Sequence, residues 1–185
     1  MTQEKQILFE HDEMARAIIR MGHEVVEQCN DAAGLVLIGI RSRGVHLARR
    51  IARKVEEIAG IVPPVGALDV THYRDDRALA LGSAAVGAFE VPVAVDDKTV
   101  VLVDDVIFRG RTIRAALDAV AQYGQPKRIL VAALVDRGAR ELPIRADIVG
   151  KNVKAGEGHR VNVMLEESDG IDRITVAQWQ GRPAV

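Results

Sequence analysis

Hydrophobic and polar positions follow two periods along this chain. From residue 12 to 29, Met14, Ile18, Met21 and Val25 recur at helical spacing, with Arg16, Arg20, His23 and Glu27 on the other side. The pattern predicts an amphipathic helix with Asp12 as its N-cap. Leu35 to Ile40 (LVLIGI) is a continuous apolar run and predicts a strand buried on both faces. A helix is expected from about Val45 to Ala59, with Leu47, Ile51, Val55 and Ile58 inward and Gly60 at its stop. Pro63-Pro64 breaks the chain, and Val65 to Val70 reads as a strand. Residues 77–90 are rich in Ala and Gly with weak periodicity, as in an exposed loop or loose hairpin. Val100 to Val103 predicts another buried strand, followed by a helix carrying Ile113, Ala116, Leu117 and Val120 on one stripe. Gly124 and Pro126 end that helix, and Arg128 to Val135 begins the next strand. Val161 to Leu165 and Arg173 to Trp179 alternate like an antiparallel hairpin, with Glu166 to Asp172 as its turn. Strands and helices alternate through most of the chain, so an α/β fold with a mostly parallel sheet is expected.

Composition narrows the function. The chain has 185 residues, enough for one full core, and a net charge of −1, so no global field directs it to a polyanion. Any anion site must come from local clustering. One cysteine, Cys29, excludes an intramolecular disulfide framework and fits a reducing cytoplasm. No stretch reaches the length of a membrane span, and MTQEKQILFEHDE lacks a signal-peptide pattern. With 3 Phe, 2 Tyr and 1 Trp, no platform for stacking single-stranded bases is evident. His46, His72 and His159 read as ordinary surface or loop residues, because no metal-ligand spacing links them.

The chemistry concentrates in residues 100–112, VVLVDDVIFRGRT. A buried strand delivers Asp104 and Asp105, and a basic, glycine-containing turn then opens a helix. A helix start offers backbone N–H groups and a positive dipole end to an anion. Gly110 lets the backbone come close, and Thr112 is placed to cap the helix or donate its hydroxyl to phosphate. The stretch is no Walker A loop, since Asp105 stands where the first glycine belongs and GK[ST] is absent; GxGxxG is absent too. A second basic loop, Arg41-Ser42-Arg43-Gly44, lies between another strand and helix. Two such loops in one parallel sheet place two anion sites on the same edge. Either Arg41 or Arg43 is also a candidate for pairing with a nearby carboxylate.

VVLVDDVIFRGRT resembles the phosphoribosyl-pyrophosphate (PRPP) motif of type I phosphoribosyltransferases, and GIRSRG resembles their pyrophosphate loop. LDVTHYRDD and VDRGARELPIRADIVGKN resemble one subfamily, the pyrimidine operon regulators with uracil phosphoribosyltransferase activity (PyrR), over about residues 7–179. The resemblance implies the type I phosphoribosyltransferase fold: a central mostly parallel sheet flanked by helices, with a small hood and C-terminal β-hairpin. It implies a single domain over 1–185, a mobile lid at about 71–90, and the hood and hairpin at about 136–179. The implied reaction converts uracil and PRPP to UMP and pyrophosphate with Mg²⁺. Asp104 and Asp105 then serve the ribose hydroxyls and, through water, the metal. Ile107, Phe108, Arg109, Gly110, Arg111 and Thr112 take the 5′-phosphate. Arg41, Ser42, Arg43 and Gly44 take the pyrophosphate, and Arg74 on the lid adds to its neutralisation. Phe108 stands where purine-specific members carry a carboxylate, which implies a pyrimidine site. The base pocket is expected near Asp136 to Gly138 and the C-terminal strands.

The same resemblance implies binding of pyrimidine operon leader mRNA, favoured by UMP or UTP, through Arg20, His23, Arg140, Arg145 and Lys151. It also implies a homodimer or higher homo-oligomer, away from membranes. Four residues depart from the subfamily pattern. Arg109 replaces a Thr or Ser in the phosphate loop; Ala139, Ile19 and Gln28 replace a histidine, a threonine and an arginine on the RNA face. Two other readings therefore stand beside the first: an RNA-binding regulator whose catalysis has decayed, and a phosphoribosyltransferase for another base.

Overall fold

The three-dimensional structure, a computed structural model, describes residues 6–29, 34–70, 89–156 and 158–178. Six strands form the main sheet in the order β4-β3-β2-β5-β6-β7. They are β2 (Leu35–Ile40), β3 (Val65–Leu68), β4 (Phe89–Glu90), β5 (Thr99–Ile107), β6 (Arg128–Asp136) and β7 (Ile148–Asn152). All pairs are parallel except β3 with β4. Helices α1 (His11–Gln28), α2 (Arg43–Ala59) and α3 (Arg111–Tyr123) flank it. A second, antiparallel sheet has the order β1-β9-β8, from β1 (Gln6–Phe9), β8 (His159–Met164) and β9 (Arg173–Gln178). A short helix, α4 (Glu166–Asp169), joins β8 to β9. The expected α/β sheet, hood and hairpin are all present.

The strand runs are apolar throughout because both faces are covered. Leu35, Leu37, Val101, Val103, Leu130, Ala132 and Leu134 pack in one core with Met14, Ile18, Met21 and Val25 of α1 and Leu47, Ile51 and Val55 of α2. The alternate residues Val36, Ile38, Val100, Leu102, Val131 and Ala133 pack with Ile113, Ala116, Ala119 and Val120 of α3. Period-two side-chain direction thus feeds two separate helix layers from one strand. Val161, Val163, Ile174 and Val176 of the hood join the α1–α2 layer. No helix among the described residues is long and apolar enough to cross a membrane.

Several boundaries differ from the sequence expectation. Glu10, rather than Asp12, caps α1: its N–H donates to the Glu13 carboxylate at 3.1 Å. Asp12 lies in the first turn, where a carboxylate favours the helix dipole. Ile58 is 36% exposed rather than inward, because α2 is ending at Gly60, which takes φ 70°. β5 does not stop at Val103 but continues through both aspartates to Ile107, laddered to β6 as far as Asp136. Within 136–179, residues Ile148–Asn152 join the main sheet beside β6 rather than the hood.

Candidate active site

The two basic loops leave the carboxyl ends of adjacent strands, β2 and β5, where open α/β sheets receive ligands. Gly39 of β2 pairs with Val103 of β5, so the Arg41–Gly44 bend emerges beside Asp104. Gly44 is buried there, and a Cβ on it would lie 2.4 Å from Val103 O and 3.4 Å from Asp104 Cα. The Arg41 N–H donates to Leu68 O at 2.8 Å, which ties the bend to β3 as well. The Arg41–Ser42 peptide is cis.

Asp104 is buried and Asp105 half-buried. One carboxylate oxygen of each accepts a backbone N–H at 2.9 Å, Asp104 Oδ1 from Asp105 and Asp105 Oδ1 from Val106. These bonds fix both side chains at the strand end. Among the described residues no group of three or more His, Cys, Asp or Glu is placed to hold a metal. Two adjacent carboxylates without further protein ligands suit a cation that keeps most of its water, as Mg²⁺ does.

A cavity of about 330 Å³ opens between the main sheet and the hood. Its lining includes Arg43, Asp105, Arg160, Asn162, Met164 and Thr175, so the Arg41–Gly44 bend, the second aspartate and the hood face one space. Arg160 and Asn162 carried no sequence signal, since strand alternation marks which face a residue takes but not what it faces.

The 107–112 turn passes through Gly110, which takes φ 91° at the N-cap position of α3. Thr112 therefore lies inside the first turn rather than capping the helix. The segment after β6 backs this loop. Leu142 and Ile144 lie 3.4 and 3.5 Å from where a Gly110 Cβ would stand. Glu141 bridges two loop cations, Arg109 at 3.0 Å and Arg111 at 2.8 Å. Beyond β6, the Arg137 guanidinium lies 3.8 Å from the Phe108 ring centroid, and its buried Nε has no hydrogen-bond partner in this structure. Burial, and then the nearby Arg109 cation, hold the Arg137 pKa below its ordinary value. A desolvated donor beside an aromatic face, at the expected base pocket, suits a flat ring bearing a carbonyl oxygen.

Both cations of the Arg41–Gly44 bend are engaged by protein. Arg41 pairs with Glu90 at 2.5 Å and Arg43 with Asp169 of α4 at 2.8 Å. Arg50 of α2 clamps the same turn, reaching Glu167 at 2.6 Å and Asp172 at 2.7 Å. Burial pushes the Asp172 pKa up, but the Arg50 hydrogen bonds and the Glu166 N–H outweigh it and leave the value low. Hydrogen bonds from Arg50 lower Glu167, and those from Arg43 lower Asp169. The hood is thus held by charge to the helix that starts at the pyrophosphate loop. Arg74 and most of the expected lid lie outside the described residues; Phe89–Glu90 at its end forms β4.

The residues expected on the RNA face divide. His23, Arg145 and Lys151 are exposed. Arg20 is an anchor, donating to Glu24 and to the Val149 and Gly150 carbonyls of β7. Arg140 is turned inward, with its side chain 18% exposed and an ion pair to Asp136 at 2.6 Å.

A cationic bend seated on a strand that ends in two carboxylates, with a second cationic turn following them, is the local pattern of a phosphoribosyltransferase. The chain belongs to the phosphoribosyltransferases: the phosphoribosyl transferase domain model matches residues 5–162. Among relatives, the bifunctional protein PyrR of Chloroflexus aurantiacus is 52% identical over 176 residues, covering 95% of this chain and 96% of that one. The bifunctional protein PyrR of Pelotomaculum thermopropionicum is 48% identical, covering 96% and 98%. Within the phosphoribosyltransferases, this chain is therefore a member of the PyrR family. The fold is also that of the hypoxanthine phosphoribosyltransferase of Trypanosoma cruzi, with a TM-score of 0.70 at 14% identity, covering 95% of this chain and 97% of that one.

Proposed function

We propose that this protein is a pyrimidine operon regulator that also transfers a phosphoribosyl group from PRPP to uracil, giving UMP and pyrophosphate. The observation that carries the catalytic half is the packing of Gly44 against Val103 and Asp104. It seats the Arg41–Gly44 bend against the strand that carries Asp104 and Asp105, and the 107–112 turn follows on that same strand, which supports assigning pyrophosphate, ribose and 5′-phosphate to them in that order.

Each group has a task in that reaction. The amides of residues 108–112 and the α3 dipole hold the 5′-phosphate. Asp104 and Asp105 hold the ribose hydroxyls. Arg41 and Arg43 exchange their carboxylate partners for the pyrophosphate as it leaves. Arg74 is assigned to the same neutralisation on sequence resemblance. Breaking the sugar–pyrophosphate bond leaves positive charge on the sugar, so stabilising the departing anion is the main catalytic task. Asp104 and Asp105 would hold Mg²⁺ through water, and the ion would add to the neutralisation of the departing anion. Phe108 has no proton to exchange with a base, which favours uracil over a purine, and Arg137 offers a donor to a ring carbonyl. Cys29 is a free, buried thiol, in keeping with work in the cytoplasm.

Incubating the protein with Mg²⁺, PRPP and a panel of bases tests this half. UMP is the expected product. IMP or GMP would replace uracil with a purine, and no nucleotide at all would leave only the regulator. For the regulatory half, Arg20 ties α1 to β7, which sets exposed His23 and Lys151 on neighbouring elements as a basic face. A gel shift with the chain's own operon leader, with UMP at modest salt, is expected to show a salt-dependent complex. No retardation at micromolar protein removes the RNA role.

A further inference from the structure

Three consecutive carbonyls of the phosphate loop are held from behind by one segment. The Arg137 N–H donates to Ile107 O at 3.0 Å. The Glu141 and Leu142 N–H groups donate to Arg109 O at 3.1 and 3.2 Å. The middle carbonyl, Phe108 O, is taken by a side chain: Arg140 Nη1 donates to it at 2.8 Å. In a planar trans peptide the N–H points opposite to the C=O. Fixing these three carbonyls toward residues 137–142 therefore turns the N–H groups of Phe108, Arg109 and Gly110 the other way.

Arg140 is itself rigidly held. Its Nη2 pairs with Asp136 Oδ2 at 2.6 Å, its Nε donates to Ile144 O at 2.8 Å, and Nη1 also reaches Gly138 O at 3.2 Å. Asp136 is fixed in turn, since its Oδ1 accepts the Gly138 N–H at 2.8 Å. The turn that brings Arg140 back beneath the loop runs through two left-handed residues, Gly138 at φ 73° and Ala139 at φ 52°. A non-glycine residue persists there only where surrounding contacts over-determine it. Only a planar fork of several donors meets these acceptors together; a lysine ammonium has one nitrogen.

We propose that Arg140 is a positioning residue of the phosphate loop, whose guanidinium fixes the Phe108–Arg109 peptide so that the Arg109 N–H faces the bound 5′-phosphate. The proposal rests on the phosphoribosyl-transfer reading above.

The test compares R140Q and R140K with wild type, measuring kcat, KM for PRPP, and calorimetric binding of UMP and of pyrophosphate. In R140Q, KM for PRPP and Kd for UMP rise about tenfold, with kcat changed much less, as loss of a charge-assisted contact implies. Pyrophosphate binding, which uses the Arg41–Gly44 bend, stays within about twofold of wild type, since that bend shares no partner with Arg140. R140K keeps the charge beside Asp136 without the fork, and its PRPP affinity stays weakened. Unchanged UMP and PRPP affinity in R140Q overturns the proposal, as does an equal loss for UMP and pyrophosphate. Failure of both variants to fold also overturns it, by assigning Arg140 to the fold alone. Wild-type protein that forms no nucleotide defeats the functional reading instead, a distinct outcome from an active wild type with an indifferent R140Q.

Discussion

A single methyl group at position 44 tests whether the two anion loops work as one unit. The Cβ introduced by Gly44→Ala would lie 2.4 Å from Val103 O, where ordinary contact begins at 3.4 Å. Both sides of this clash are backbone, so no rotamer change relieves it. The bend and the end of β5 must separate by about 1 Å, and a misplacement of that size can cost on the order of 100-fold in rate. Overpacking of this kind costs roughly 1–3 kcal/mol of stability, or about 2–12 °C in thermal midpoint for a chain of this size. The assay is steady-state formation of UMP from uracil and PRPP, with pyrophosphate as product inhibitor and circular dichroism as the check on folding. The expected G44A protein is folded, has kcat/KM down about 100-fold, and binds pyrophosphate more weakly. A folded G44A enzyme within about threefold of wild type would refute the reasoning, because the close approach would then have no part in holding substrate.

Asp104→Asn together with Asp105→Asn keeps the backbone bonds to residues 105 and 106 but removes both charges; turnover is expected to vanish while the thermal midpoint moves little, and measurable UMP formation would dismiss the pair as ribose and metal ligands. Arg109→Thr frees Glu141 to pair with Arg111 alone and changes KM for PRPP; an unchanged KM makes Arg109 a bystander. Arg50→Met leaves buried Asp172 without its cation, which costs about 3 kcal/mol and lowers the thermal midpoint by roughly 6–12 °C; a midpoint within the error of wild type would show that the hood is held by packing instead. The folded-state pKa values of Glu167, Asp169 and Asp172 lie below their ordinary values, so the unfolded chain binds more protons in the acid range and stability there rises with pH. That contribution is complete above the unfolded values near ~4 and is lost as pH falls through the lowered ones; a midpoint of unfolding independent of pH across that acid window would contradict it.

The sequence made the sheet legible because its strands are buried on both faces. LVLIGI and the apolar run of β6 are continuous and leave no other reading. The polar end of β5 was not legible: Asp104 and Asp105 look like the end of a strand, yet their backbone continues the ladder while their side chains serve the cleft. β7 hid in a basic run because only Ile148 and Gly150 are buried in it. Gln6–Phe9 hid as well, its four residues being too few to display a period. For the site, motif chemistry located both loops. What it did not reveal was the setting of Arg140, which looks like any surface cation in the one-dimensional string. Its partner Phe108 lies 32 residues away, and no periodicity encodes a side chain that returns to a distant carbonyl.

The pairing of β1 with β9 sets Gln6 opposite Val176, near the two extremes of the chain. During synthesis at ~5–20 residues per second, the main sheet has all its strands once Asn152 has emerged. Both anion loops exist at that moment, but the wall carrying Asn162, Met164 and Thr175 has yet to be translated. A nascent chain paused there displays a finished sheet with an uncovered mouth, and the cavity gains its outer wall only when β9 emerges and finds β1.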